Sequence, residues 1–243
     1  MEQPPDYALI VPAYNEAAQL ARTLPAMIDA MRGVDAPGEL IVVDNNSSDA
    51  TADVARDHGA TVVYEPVNQI AKARNAGARA SAGRWLVFID ADTAPSAELL
   101  SAALDALEQD GYVGGGAKVV FDPPSTWLAM RLLGLWNLGS RLLRYPAGCF
   151  FFCRRDAFED VGGFNETLYA SEEIWLARRL KRWARPKRMP MRIVQVGVET
   201  SSRKTDNTGR MLGMMAVMFL FPFAVRFRGL CGWWYKRGDE GVV

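Results

Sequence analysis

Residues 7–16 read YALIVPAYNE, an apolar run that turns polar only at Tyr14-Asn15-Glu16. A run this continuous, without alternation, suits a strand buried on both faces. Three further runs of the same kind follow: ELIVVD (39–44), ATVVYE (60–65) and RWLVFID (84–90). Helical periodicity fills the gaps over roughly 16–32, 49–58, 69–82 and 96–109, with Ser96 as a helix start and Asp49 as a cap for its helix. The order βαβαβαβα predicts an α/β domain with a mainly parallel central sheet and helices on both faces.

The composition agrees. Of 243 residues, 49% are hydrophobic and 23% charged, which excludes a disordered chain and supplies enough apolar surface for a sizeable core. Three cysteines and a single histidine, His58, do not make a disulfide framework or a structural zinc site. The acidic start MEQPPD lacks an apolar run, so no secretory signal is expected and the setting reads as reducing and cytoplasmic. Net charge is zero but unevenly placed. Residues 1–120 carry 8 Lys/Arg against 17 Asp/Glu, and residues 121–243 carry 20 against 11. This split fits a cation held by one half and an anionic surface met by the other, although scattered solvated charge would look the same.

In open sheets of this kind ligands bind beyond the carboxyl ends of the strands. Those ends are polar here: Tyr14-Asn15-Glu16, Asp44-Asn45-Asn46-Ser47 and Asp90-Ala91-Asp92. A dinucleotide site needs GxGxxG after the first strand, and VPAYNE has no glycine. No Walker loop is present either, so phosphate must be held by other means. Asp90 and Asp92, two residues apart at a strand end, are hard oxygen donors suited to Mg²⁺ or Mn²⁺. Taken alone, such a pair is more often a turn or a helix cap.

Five segments together say more. PAYNE (12–16), VVDNNSSDAT (42–51), AKARNAG (71–77), FIDAD (88–92) and AGCFFFCRRDAFEDVGGFNETLYASEEIWLARRL (147–180), in this order and at these intervals, resemble glycosyltransferase family 2. The resemblance covers roughly residues 7 to 183. It implies the GT-A fold, a UDP- or GDP-sugar donor, Mn²⁺ or Mg²⁺, and transfer with inversion. It implies that Pro12, Tyr14 and Glu16 flank the base and ribose and that Asp44 reads the base edge. Lys72 and Arg74 would contact base or phosphate, with Asn75 a structural partner on the same helix. Asp90-Ala91-Asp92 would be the donor-binding Asp-x-Asp, Asp92 being the direct metal ligand beside Asp90. Glu172 and Glu173 match a Glu-Asp pair whose second member is the general base. The second residue here is one methylene longer, so the base stays open between Glu173 and Glu172.

The chemistry needs these residue types. A carboxylate takes the proton of an attacking hydroxyl. A divalent ion stabilises the departing nucleoside diphosphate. Displacement from the opposite face inverts the anomeric carbon without a second carboxylate nucleophile. For Glu172 and Glu173 the plainer alternative is a solvated helix start, stabilised by the helix dipole.

Beyond residue 120 the sequence points to an acceptor side. Residues 125–144 form a helical pattern with Trp127, Leu128, Leu132, Leu135, Trp136, Leu138, Leu142 and Leu143 on one side, and Asn137, Ser140, Arg141 and Arg144 opposite; Arg131 and Leu133 break the pattern. Packing of that apolar side on its own domain is at least as good a reading as an interfacial helix. Residues 178–192 hold eight basic side chains and no acid, a solvated face or a contact for anionic lipid or acceptor phosphate. Residues 191–209 read as a strand and a polar loop, in which Ser202 and Arg203 are candidates to close over the diphosphate, an ordinary turn being the plainer reading. Met211 to Val225 are uncharged, too short for the ~20 residues of a bilayer span, and are followed by GLCGWWYKR (229–237). The expectation is a GT-A domain over 1–207 and an apolar helical tail over 208–243. That tail either docks peripherally at the inner face of the plasma membrane or covers the core with a homodimer contact.

No nucleic-acid motif is present. Arg182-Trp183 lacks the Gln and the spacing of a Gln-x-x-Arg-Trp motif, which favours a single-addition transferase over a polymer synthase. The expected reaction is metal-dependent transfer to an acceptor hydroxyl or lipid phosphate, on a surface-glycan precursor or a polyprenyl-linked lipid. The alternatives are a nucleotidyltransferase and a non-catalytic, membrane-docked nucleotide-sugar binding protein.

Overall fold

The computed structural model describes residues 4–109, 111–122 and 126–201. Ser202, Arg203 and the tail at 208–243 lie outside the described residues. The elements run β1 (Tyr7–Ala13), α1 (Ala17–Arg32), β2 (Gly38–Asp44), α2 (Thr51–Asp57), β3 (Thr61–Tyr64), α3 (Ile70–Ala80), β4 (Trp85–Ile89), β5 (Thr93–Ala94) and α4 (Ala97–Glu108). Then follow β6 (Gly114–Asp122), α5 (Trp127–Leu143), β7 (Phe150–Arg154), α6 (Arg155–Asp160), α7 (Glu172–Ala184) and β8 (Met191–Ser201).

One eight-stranded sheet has the order β3-β2-β1-β4-β7-β6-β8-β5. The first four strands to form it are mutually parallel, as expected from their unbroken apolar runs. β7 then runs antiparallel to both β4 and β6, while β6 and β8 are parallel. Side chains of a strand alternate between faces, and β1 shows the result. Leu9 and Val11 enter one core with Leu20, Leu24 and Met27 of α1 and Leu99 and Leu100 of α4. Ala8 and Ile10 enter the other with Ala73 of α3, Phe158 of α6 and Leu176 of α7. Helices therefore cover both faces.

Gly77 sets the position of α3. A Cβ there would stand 2.4 Å from Ile10 Cγ2, so only glycine lets the helix approach β1 this closely. Ser96 caps α4 as expected, its hydroxyl accepting from the Leu99 N–H. Asp49 is a correction. The residue before α2 is Ala50, and the Asp49 carboxylate instead accepts from the N–H groups of Thr51 and Ala17, tying the starts of α1 and α2 together.

Helix α5 also departs from the reading in which its apolar side packs inward. Its inner face is made by Ala129, Leu133, Asn137 and Ser140, while Arg141 and Arg144 stay exposed. The Asn137 amide donates to the Val119 carbonyl at 2.9 Å and accepts from the Val119 N–H at 3.0 Å, pairing with β6 as a neighbouring strand would. Ala129 and Ser140 are buried, whereas Trp127, Leu135 and Leu142 are exposed. Among the described residues no helix is long and apolar enough to cross a membrane.

Candidate active site

The carboxyl ends of β1, β2 and β4 carry the expected loops. Asn15 and Asn46 both take positive φ, 50° and 65°, which asparagine tolerates better than most residues. The loops hold each other. Asn15 N–H donates to Ser47 Oγ, Ser48 N–H donates to Asn15 Oδ1, and Glu16 N–H donates to Thr51 Oγ1. Asp44 is buried and accepts from the Ser47 N–H at 2.9 Å. Pro12 faces Val43 across the β1–β2 pair, and Tyr14 is half-buried beside it.

The Asp90-Ala91-Asp92 turn is held through the backbone of its first two residues. The Asp90 N–H donates to the Cys149 carbonyl, the Ala91 carbonyl accepts from Thr23 Oγ1 at 2.7 Å, and the Asp90 carbonyl accepts from the Thr93 N–H. Asp92 is buried, while Asp90 keeps about a quarter of its side chain open. Among the described residues no group of three His, Cys, Asp or Glu side chains gathers to hold a metal ion. Two carboxylates at a strand end are nonetheless the donor set that suits Mg²⁺, which commonly binds one or two carboxylates and takes substrate phosphate and water as its remaining ligands.

Arg74, expected at the base or phosphate, is buried. Its side chain is 1% exposed. It donates to Asp90 Oδ1 at 3.0 Å, to Glu172 Oε1 at 2.7 Å and to the Gly148 carbonyl at 2.8 Å. Its Nε has no hydrogen-bond partner and the guanidinium lies 5.2 Å from the Phe164 ring centroid. One cation thus joins the Asp-x-Asp turn to the first turn of α7 and to the strand entry at Gly148. Lys72, expected beside it, pairs with Glu166 at 3.6 Å.

Glu172 and Glu173 open α7 after Ser171, which takes φ 59°. Such a conformation is uncommon for serine. Glu172 is buried; burial raises its pKa and Arg74 opposes that rise. Glu173 is pushed up to about 8, by burial first and by the charge of Glu172 second. A Cβ on Gly148 would lie 3.5 Å from both the Arg74 guanidinium and the Glu173 carboxyl carbon, so this glycine borders both groups. Two like charges side by side cannot both ionise cheaply. The guanidinium bonds Glu172 directly and offsets part of its rise, while no such bond reaches Glu173 among the contacts of Arg74.

Asn75 is the structural partner expected. Its amide exchanges hydrogen bonds with the Phe164 N–H and carbonyl, beside Gly163 at φ 65°, where a Cβ would stand 2.7 Å from Asn75 Oδ1. Sequence reading missed two other loop staples. Asn45 accepts from the Gln69 N–H and donates to the Glu65 and Val67 carbonyls. Gln69 donates to the Glu166 and Leu168 carbonyls. Gln69 lies 97 and 99 residues from those partners, so no local spacing signals them.

The family model of glycosyl transferase family 2 matches residues 8–162. The glycosyltransferase AglE of Haloferax volcanii is 27% identical over 187 residues, covering 72% of this chain. This chain spans 61% of the length of that relative. An uncharacterised glycosyltransferase of Mycobacterium tuberculosis is 32% identical over 159 residues, covering 63% of this chain and 70% of its own length. Among solved structures, the mannosyltransferase PcManGT from Pyrobaculum calidifontis, in complex with GDP-Man and Mn²⁺, superposes with a TM-score of 0.66 at 19% identity. That match covers 95% of this chain and 69% of the other. Glucosyl-3-phosphoglycerate synthase from M. tuberculosis, with Mn²⁺, UDP and glucosyl-3-phosphoglycerate, gives 0.59 at 22% identity, covering 98% of this chain and 82% of the other. These two likenesses are of fold, and the fold is GT-A. The chain belongs to glycosyltransferase family 2.

Proposed function

We propose that this family 2 glycosyltransferase moves one sugar from a nucleotide-diphospho-sugar to an acceptor hydroxyl or lipid phosphate, with inversion at the anomeric carbon. The observation that carries the reading is the buried Arg74 bridge. It holds the donor-side Asp90 and the acceptor-side Glu172 in one network. Binding and proton transfer are then tied to one rigid frame.

In this reading Pro12, Tyr14 and Glu16 flank the base and ribose, Asp44 reads the base edge and Lys72 contacts base or phosphate. Asp90 and Asp92 would hold Mn²⁺ or Mg²⁺, whose chemistry there is to neutralise the diphosphate as it leaves. Glu173 takes the acceptor proton. Its raised affinity for a proton makes it a better base than an ordinary carboxylate, since a base works best with a pKa near the operating pH. Glu172, bound to Arg74, is a positioning residue. The chain is shorter than AglE, so its acceptor is proposed only by class: a surface-glycan precursor or a polyprenyl-linked lipid. A lipid-linked acceptor would bring the enzyme to the inner face of the membrane.

Product analysis tests the reaction. Incubation with UDP- or GDP-sugars, Mn²⁺ and a lipid-phosphate acceptor is expected to release nucleoside diphosphate and leave an inverted linkage. Release of pyrophosphate would indicate nucleotidyl transfer instead. Donor binding without turnover in any metal would indicate a binding protein.

A further inference from the structure

Nine large apolar side chains are exposed among the described residues, and seven of them lie on α5. Trp127 and Leu142 are each 72% exposed, and Leu135 and Leu138 stand between them at 66% and 55%. The spacing of Leu135, Leu138 and Leu142 puts them on one stripe. A shallow groove lined by Trp127, Met130, Arg131, Gly134, Leu135 and Leu138 runs along it. This face is not a packing failure, because the opposite face is committed to the domain through Ala129, Asn137 and Ser140.

The charges on the stripe's own helix have one sign. Helix α5 and its cap carry Arg131, Arg141 and Arg144 and no acid, and all three are exposed. The end of α5 touches α7, where Lys181 Nζ donates to the Leu143 carbonyl at 2.6 Å and lies 3.5 Å from the Tyr145 ring centroid. Arg178 of α7 lies 6.0 Å from the same Tyr145 ring centroid, so two cations of α7 flank the C-terminal end of α5. Burial and the neighbouring Arg144 and Arg178 bring the Lys181 ammonium down to about 8, as expected where positive charge is crowded. The occupant must therefore be apolar within and anionic at its edge, and extend along a 17-residue helix, ~25 Å. A second copy is a poor fit, since two-fold apposition of this face would set cations against cations.

We infer that the outer face of α5, with the cationic surface of α7 beside it, is a docking surface for an anionic lipid bilayer, on which α5 lies in the plane of the headgroups. The inference rests on the membrane side of the proposed function and not on the sugar-transfer step. It assigns the contact to described residues of the catalytic domain rather than to residues 208–243.

Flotation of the full chain with vesicles tests it, at ~0.15 M salt. The vesicles are phosphatidylcholine alone, or phosphatidylcholine with roughly a third phosphatidylglycerol. The variant is Leu135→Gln/Leu138→Gln/Leu142→Gln. These positions are already exposed, so its thermal midpoint and donor turnover should match those of the unaltered chain. The unaltered chain is expected to float with the anionic vesicles and the triple variant about tenfold less. Equal flotation of the two would overturn the assignment to α5 while leaving membrane association in place. Equal flotation with neutral vesicles would overturn the anionic chemistry. If the unaltered chain stays at the bottom of the gradient, the inference and the membrane side of the proposed function both fall. If it stays there as a dimer that the triple variant dissolves, α5 binds a second copy. Nucleoside diphosphate release reports on the transfer reading separately.

Discussion

Glu172 and Glu173 follow one another in the chain, yet their surroundings differ because Arg74 bonds the first. Glu173→Gln is expected to keep donor affinity and lose about 10²–10⁴ in kcat, the usual worth of a positioned base. Equilibrium donor titration and single-turnover rates check both halves. The deprotonated form is the active one, so kcat/KM should rise with pH through about 8. The pKa is higher in the folded state than its ordinary 4.5, so this group favours folding below 4.5, and that contribution is lost as pH rises through about 8. Removing Arg74 strands two carboxylates. Arg74→Met is expected to cost roughly 3–5 kcal/mol in urea unfolding, as breaking a buried pair does. Of this site, the sequence marks the positions of the carboxylates but not the burial of the guanidinium between Asp90 and Glu172. Arg74 reads as a phosphate contact by its place in AKARNAG, but burial depends on Phe164 and Glu172, 90 and 98 residues away.

At the scale of elements, β4 and β7 are joined by aromatic side chains as well as by backbone pairing. Phe88 lies 5.0 Å from Phe164 and 5.5 Å from Phe158 by ring centroids, and 6.4 Å from Phe151. Phe88→Ala is expected to cost roughly 3–5 kcal/mol and Phe88→Leu distinctly less, read as shifts in the denaturation midpoint. The same packing holds Asp90 two residues on, so a fall in Mn²⁺-dependent donor binding should accompany the loss of stability. The four parallel strands and their helices were legible because continuous apolar runs and 3.6-residue periodicity are local signals. Strands β6 and β7 were not. Gly114-Gly115-Gly116 has no side chains to alternate, and Phe150-Phe151-Phe152 does not reveal its direction, which depends on β4 and β6. In α5 the periodicity was correct, and of the two orientations the sequence leaves open the structure takes the one with the apolar stripe outward and Asn137 paired with Val119 of β6.

Over the whole molecule, the charge asymmetry of the sequence corresponds to two regions. The acidic half supplies Asp44, Asp90 and Asp92 at the strand ends, and the basic half supplies the cations of α5 and α7. A ligand that binds only the folded state raises its apparent stability, by about 2.7 kcal/mol at a hundred times its dissociation constant. Nucleoside diphosphate with Mn²⁺ should therefore raise the thermal midpoint, and chelation should return it. The central claim is that Asp90 and Asp92 bind the donor through a divalent ion. Calorimetric titration of UDP- and GDP-sugars into the protein, with and without Mn²⁺, tests it most directly. For at least one donor, Mn²⁺ is predicted to tighten binding at least about tenfold, or ~1.4 kcal/mol, and Asp90→Asn/Asp92→Asn should abolish that gain. Equal affinity with and without the ion for every donor, or an undiminished gain in the double variant, would contradict it.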